Sequence, residues 1–358
     1  MKKKVVVGMS GGVDSSAAAY LLKEAGYDVI GVTMEMWQEG PRGQAAGNGS
    51  LCASAADDAR RVAEVLGIPH YVVDFREVFR ERVVSYFIDE YRHGRTPNPC
   101  IMCNRYVKWE ALLEKGREFG ADLVATGHYA RIELLPNGRY TVRTSVTSAK
   151  DQTYALYQLT QEQLRHTLMP DGAYTKDEIR AAAERAGLPV AHKPDSMEIC
   201  FIPDNDYAGF IGRNAGSVPP PGNFVTGDGR VLGRHRGITH YTVGQRKGLG
   251  LAMGRPVFVK EIRPETDEVV IGEAGSVFTR ELTADRLNWM AVEGPGSAPL
   301  RASAKIRYNH AGAPCTVTDA GDGTVRVVFD EPVRAVTPGQ AVVFYHDGGY
   351  VLGGGIIR

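Results

Sequence analysis

The sequence predicts an α/β domain built on a parallel sheet, followed by a small central β-rich domain and a C-terminal β-barrel. Three observations carry this expectation. Short apolar strands alternate with helical segments through the first two hundred residues, as a sheet covered by helices on both faces requires. A Pro/Gly break at Val218-Pro219-Pro220-Pro221-Gly222 then interrupts the pattern. Beyond it Gly and Pro become frequent, and the chain reads as short strands separated by turns, which suits one or two small barrels. The expected domains are residues 1–203, 204–280 and 281–358.

The elements follow in order. Val5–Val7 is a first strand, Ser15–Ala25 a helix ending near Gly26, and Val29–Met34 a second strand. Trp37–Ser54 is rich in Gly, Ala and Ser and reads as a mobile loop. Ala55–Leu66 is a helix stopped by Gly67, His70–Asp74 a third strand and Arg76–Tyr91 an amphipathic helix. Two prolines make Arg95–Asn104 a loop, after which come a helix at Tyr106–Phe119 and a strand at Asp122–Thr126. Lys150–His166 reads as helical, and Thr175 with Glu178 forms a capping box opening a helix that ends near Gly187. Strands are expected at Val257–Ile262, Val269–Ile271, Ala302–Tyr308, Cys315–Asp319, Thr324–Phe329, Ala341–Tyr345 and Tyr350–Ile357.

At 358 residues the chain is too long for one ordinary core, so several domains are the prior. Its 43% hydrophobic and 23% charged content is that of a soluble globular protein, and no apolar run reaches membrane-span length. The N-terminal Lys-rich apolar stretch is too short for a signal peptide and runs into a glycine turn, which predicts a cytoplasmic protein without a membrane partner. Net charge is zero, yet Gly229–Lys260 contains no Asp or Glu while carrying Arg230, Arg234, Arg236, Arg246, Lys247, Arg255 and Lys260. Such a stretch is either a phosphate-backbone contact surface or a solvated face balanced by acids elsewhere. Five cysteines, an odd number, argue against a disulfide scaffold.

The most informative segment is Ser10-Gly11-Gly12-Val13-Asp14-Ser15-Ser16, between the first strand and the first helix. Gly11 and Gly12 let backbone N–H groups approach an anion, and the helix N-terminus adds positive potential. Ser10 and Ser15 offer hydroxyls, and Asp14 can hold Mg2+ or fix the loop. No Lys-Ser/Thr follows the glycines, so this is not a Walker A loop. The alternative is a tight βα turn without a ligand. The string resembles the loop of the ATP pyrophosphatase superfamily, whose members cleave ATP between the α and β phosphates to adenylate a substrate oxygen.

Arg95-Thr96-Pro97-Asn98-Pro99-Cys100-Ile101-Met102-Cys103-Asn104 presents two thiols three residues apart, and Ile199-Cys200-Phe201-Ile202 adds a third. A lone cysteine of this kind is a core filler, but the set points to thiol chemistry or metal binding. Together with Ala125-Thr126-Gly127-His128-Tyr129, Lys150-Asp151-Gln152, Gly244–Gly250 and Thr337-Pro338-Gly339-Gln340, these segments resemble the tRNA-specific 2-thiouridylases over nearly the whole chain. The resemblance implies an adenine nucleotide alpha hydrolase-like N-terminal fold. The implied activity is that of a tRNA-uridine 2-sulfurtransferase, which adenylates the wobble uridine and replaces its carbon-2 oxygen with sulfur. It also implies that Cys200 carries a persulfide received from a sulfur carrier protein or cysteine desulfurase, and that Cys103 attacks it while a Cys103–Cys200 disulfide forms. Gly8, Met9, Ser10, Gly11, Gly12, Val13, Asp14, Ser15, Met34 and Gly127 match the ATP site. Asn98, Pro99, Cys100, Lys150, Asp151 and Gln152 match segments around the target base. His128, Arg307, Tyr308 and Gln340 match positions that contact tRNA near its anticodon.

The chain departs from the family pattern at Cys100, where an Asp is usual. Cys100 is therefore either a spare thiol beside persulfide chemistry, or a ligand with Cys103 and Cys200 of a 4Fe–4S cluster whose free iron binds sulfide. The expected cofactors are ATP and Mg2+, with the cluster as the alternative. Two rival readings remain. One is an amide-forming or nitrogen-transferring synthetase sharing the loop, and the other is a tRNA-binding chaperone without catalysis. Cys52 and Cys315 read as structural, and Trp37, Trp109 and Trp289 as packing anchors.

Overall fold

The computed structural model describes residues 2–37, 51–194 and 199–358. The chain divides into two units, the first made of Met1–Val83, Cys100–Phe201 and Gly349–Val351 and the second of Val84–Pro99, Ile202–Gly348 and Leu352–Arg358. In the first unit, β1 (Lys4–Gly8), β2 (Asp28–Glu35), β3 (His70–Asp74), β4 (Leu123–Ala125) and the short Thr167–Leu168 strand form a five-stranded parallel sheet. Central β1 is an uninterrupted Val5-Val6-Val7 run because both of its faces are covered, and all three side chains are fully buried. Edge strand β3 leaves Tyr71 and Val72 exposed.

The sheet order places β1 between β2, reached through the first helix α1 (Val13–Glu24), and β4 on its other side. Chain direction across the sheet reverses there, which opens the crevice at the carboxyl ends of β1 and β4 where such folds bind ligands. Helix α2 (Leu51–Leu66) packs beside β2. It includes residues 51–54, which the sequence places in the Trp37–Ser54 loop, while residues 38–50 of that loop lie outside the described residues.

Two departures from expectation bear on the site. The Pro-rich loop ends sooner than expected: residues 99–118, here α3, are one helical run starting at Pro99, with a π-helical stretch over Cys103–Ala111. Proline needs no N–H partner in the first helical turn, so Pro99 starts a helix instead of prolonging the loop. Lys150–His166 is not one helix but separate turns, Ser148–Lys150 and Thr153–Leu156, followed by the helix Gln161–Arg165. The Asp151 carboxylate accepts from Ser145 N–H and the Thr153 hydroxyl, and Thr160 starts its own capping box with Gln163, so local side-chain bonds break the helix. The capping box of Thr175 and Glu178 is present as expected. An antiparallel hairpin, Ala130–Leu134 with Tyr140–Thr144, went unassigned in the sequence although Asn137-Gly138 marks its turn.

The second unit holds a four-stranded sheet around Phe224, Ile238, Tyr241, Val259 and Val269, and a barrel. The barrel's six strands are Phe278–Trp289, Leu300–Lys305, Ala313–Asp319, Val325–Arg334, Ala341–His346 and the last strand from Leu352 onward. Pairing of the first strand with the last, Ala284 opposite Ile357, closes the barrel and removes its edges. Among the described residues no helix is long and apolar enough to cross a membrane.

Candidate active site

The turn after β1 begins α1 with Gly12 as its N-cap, and no side chain caps the helix. Its first N–H groups are thus not taken by a capping side chain, the usual basis of anion binding at a helix start. The loop is held from within: Ser10 N–H donates to Ser15 Oγ at 3.1 Å, and Ser16 Oγ donates to the Gly12 carbonyl at 2.8 Å. Gly11 adopts φ +68°, and a Cβ there would lie 2.4 Å from the Ala55 carbonyl oxygen of α2. Gly127, after β4, passes so close beneath the loop that its Cβ would stand 2.5 Å from Asp14 C and 2.6 Å from Ser15 N. Both glycines are therefore needed for close packing of backbone. Met9 is fully buried and Val13 nearly so, making them supports of the loop, and the Met34 methyl packs over Gly8.

The lysine missing from the loop is replaced by two from distant parts of the chain. Lys176 Nζ donates to Asp14 Oδ1 at 2.7 Å, and the Tyr129 hydroxyl donates to the same oxygen at 2.8 Å. Lys193 Nζ donates to the Gly11 carbonyl at 3.1 Å and to Asp58 Oδ2 at 2.7 Å, which holds the Asp58 carboxyl below its usual range. Behind this cluster Asp171 is fully buried, with no hydrogen-bond partner on either carboxylate oxygen. Desolvation, then the neighbouring Asp14 charge, raises its pKa well above the ordinary value, with Lys176 opposing. Nothing local in the sequence marks Lys176, Lys193 or Asp171; the two lysines become legible only once chain segments 162 and 182 residues apart are brought together.

The Lys150-Asp151-Gln152 segment folds onto the turn after β4. Gln152 Oε1 accepts from Tyr129 N–H at 2.8 Å, and Gln152 N–H donates to the Tyr129 carbonyl, tying Lys150-Asp151-Gln152 to the Gly127-His128-Tyr129 turn. His128 is buried, bonded through Nδ1 to Thr126 Oγ1 at 2.7 Å and packed against Trp109. Desolvation keeps it neutral. Its ring therefore lies inside the fold.

All three site cysteines lie in the first unit. Cys103 is buried at the start of the π-helical stretch, a distortion that recurs at functional sites. Its thiol is pushed up to about 12, chiefly by desolvation and further by Cys200 and Cys100, with Lys108 opposing. Cys200 and Cys100 are exposed, and desolvation raises the Cys100 thiol. The Cys103 thiol faces the Met36 thioether, Sγ to Sδ 3.7 Å. Among the described residues no three His, Cys, Asp or Glu side chains are grouped as metal ligands.

In the second unit Asn98 is half-buried and Pro99 buried. Gln340 Nε2 donates to the Thr96 carbonyl at 2.8 Å, and Thr96 N–H donates to the Pro338 carbonyl. Gln340 thus holds the Arg95-Thr96-Pro97 segment. Arg307 donates to the Arg334 carbonyl, and Tyr308 is exposed. Every basic residue of the acid-free stretch is exposed, from Arg230 to Lys260, and Arg255 pairs with Glu273.

A parallel sheet with a glycine phosphate loop at its switch point defines a nucleotide-binding α/β domain joined to small β modules. A family model described as the tRNA methyl transferase HUP domain matches residues 3–204. A PRC-barrel domain model matches 209–273 and an aminomethyltransferase β-barrel model 279–357. Proteins named tRNA-specific 2-thiouridylase MnmA align along the full chain. That of Lachnoclostridium phytofermentans is 62% identical over 99% of both chains, and that of Clostridioides difficile 53% identical over 100% of this chain and 99% of its own. That of Acetivibrio thermocellus is 55% identical over the same shares. The chain belongs to the tRNA-specific 2-thiouridylase family.

Proposed function

We propose that the protein is a cytoplasmic tRNA-uridine 2-sulfurtransferase that adenylates the wobble uridine with ATP and substitutes persulfide sulfur for its carbon-2 oxygen. The observation that carries this reading is a single one: the unit bearing the phosphate loop also carries Cys100 and Cys103 on one helical run, together with Cys200. The uridine O2 attacks the α-phosphorus, the bond to the β-phosphate bridge breaks, pyrophosphate leaves, and N3 gives up its proton. Backbone N–H groups of Gly11 and Gly12 at the α1 N-terminus, with Lys176 and Lys193 nearby, suit the charge that develops on the phosphates. Mg2+ would add charge neutralisation near Asp14.

Sulfur arrives on exposed Cys200 as a persulfide, from a carrier protein or desulfurase. Cys103, which burial holds as the thiol, gives up its proton to solvent as its sulfur attacks Sγ of Cys200 and the bond to the outer sulfur breaks. Hydrosulfide leaves with that electron pair, and a Cys103–Cys200 disulfide remains for a thiol reductant to reopen. Hydrosulfide adds at carbon 2, AMP departs with the oxygen, and the sulfhydryl proton returns to N3. Exposed Tyr308, half-buried Arg307 and the basic stretch suit contact with tRNA backbone. No step needs the iron–sulfur cluster.

The test is mass spectrometry of wobble nucleosides after incubation of tRNA with the protein, ATP, Mg2+ and a persulfide donor. The expected product is 2-thiouridine, formed with one pyrophosphate each. A protein that releases pyrophosphate and keeps its activity when Cys103 or Cys200 is serine would instead be an amide- or nitrogen-transferring synthetase.

A further inference from the structure

The end of β2 runs Met34-Glu35-Met36-Trp37, and successive side chains of this short stretch meet different parts of the site. Met34 packs over Gly8 at the base of the phosphate loop. Met36 Sδ receives the Cys103 thiol at 3.7 Å. The Trp37 ring lies 6.2 Å from Phe201 and 6.5 Å from Phe79, and Phe79 and Phe201 meet edge-to-face at 5.4 Å. The Arg80 guanidinium stands 5.9 Å over the indole. Phe79 and Phe201 are buried, whereas Cys200, one residue before Phe201, is exposed. All of these residues belong to the first unit.

We propose that Met36 and Trp37 are positioning residues that set the approach of the two reacting thiols, Met36 by seating Cys103 and Trp37, with Phe79, by anchoring Phe201 beside Cys200. The inference rests on the sulfur-transfer reading and assigns that chemistry a device the cysteines alone do not supply. Two demands on Cys200 conflict: it must be open to solvent to receive sulfur, and held still to be attacked. Consecutive Cα atoms are fixed about 3.8 Å apart, so clamping Phe201 in an aromatic cluster restrains Cys200 without covering its thiol. Cys103 has the opposite need. A thioether is a soft, weak acceptor, so it gives the buried thiol a defined seat that is easily left. Because one strand end carries both seats, the thiols share a frame with the phosphate loop.

The test uses the full-length protein with Cys100→Ser, so that peptide mass spectrometry can read a Cys103–Cys200 cross-link made by a short bis-alkylating reagent. Trp37→Leu and Phe201→Leu should slow cross-linking on the order of tenfold relative to single alkylation of Cys200, since loss of orientation lowers effective concentration. Trp37→Phe and Phe201→Tyr should restore it, and Met36→Leu should raise alkylation of Cys103 by a monofunctional reagent. Melting temperature is recorded for each variant. Unchanged cross-linking in both leucine variants, or equal loss in leucine and aromatic variants, overturns the proposal. Should a leucine variant not fold, Met36→Leu decides: cross-linking and Cys103 reactivity equal to the parent's overturn it. The readout needs neither ATP nor tRNA. Failure to form 2-thiouridine with position-sensitive cross-linking would sink the function and leave the positioning device, and the converse result would do the reverse.

Discussion

Gly127→Ala is a small change with a large expected effect, and the geometry gives its size. The added methyl would stand 2.5 Å from Asp14 C and 2.6 Å from Ser15 N, both backbone atoms that no rotamer change can move. Carbon atoms pack at about 3.5–4.0 Å, so the turn after β4 and the phosphate loop must part by about 1 Å. A misplacement of about 1 Å at reacting groups costs on the order of a hundredfold in rate, and overpacking costs about 1–3 kcal/mol of stability. Gly12→Ala is the control, because its Cβ would meet nothing nearer than Ser10 Oγ at 3.5 Å. Its stability should stay within about 1 kcal/mol of the parent, as Gly→Ala changes do where the backbone permits them. The assay is ATP-dependent pyrophosphate release with tRNA, alongside thermal melting. Gly127→Ala should lose both rate and stability, and Gly12→Ala should keep its stability whatever happens to ATP binding. A Gly127→Ala protein with parental kcat/KM for ATP would refute the claim that the turn's approach shapes the loop.

Other expectations follow from the same geometry. Cys103→Ser and Cys200→Ser should each abolish 2-thiouridine while leaving pyrophosphate release within a few fold, checked by nucleoside mass spectrometry beside a pyrophosphate assay. Lys176→Met removes a charge-assisted bond to Asp14 worth about 1.5–3 kcal/mol, and titration calorimetry should show ATP affinity down by on the order of tenfold or more. Because the folded Cys103 pKa is raised to about 12, its contribution to stability is complete below the unfolded thiol value of about 8.5 and is lost as pH rises towards 12. Urea melts of the parent should therefore fall more steeply over that window than those of Cys103→Ser. Asp171 is raised in the same sense, so its contribution is complete below the ordinary carboxylate range and lost as pH rises through its folded value. Asp171→Asn should flatten that dependence, and a parent melt that already shows no pH dependence there would contradict a carboxyl raised by burial.

What the sequence determined by itself were features whose physics is local or periodic. The Val5–Val7 run, the glycine turn and the helix start read as a phosphate loop because strand period, backbone freedom and helix polarity act over a few residues. The capping box at Thr175 was legible for the same reason, and so were the β-rich second half and the spacing of Cys100 and Cys103. Tertiary structure decided what depends on contacts between distant residues. It gave the loop its cations from Lys176 and Lys193, and it buried His128 against Trp109. It turned Gln340 onto Thr96, and it joined Trp37 to Phe201 across more than 160 residues of chain. Pro99 shows the boundary between the two: proline signals a break, but whether a helix ends or begins there depends on the chain that follows, and here it begins the helix that carries both Cys100 and Cys103.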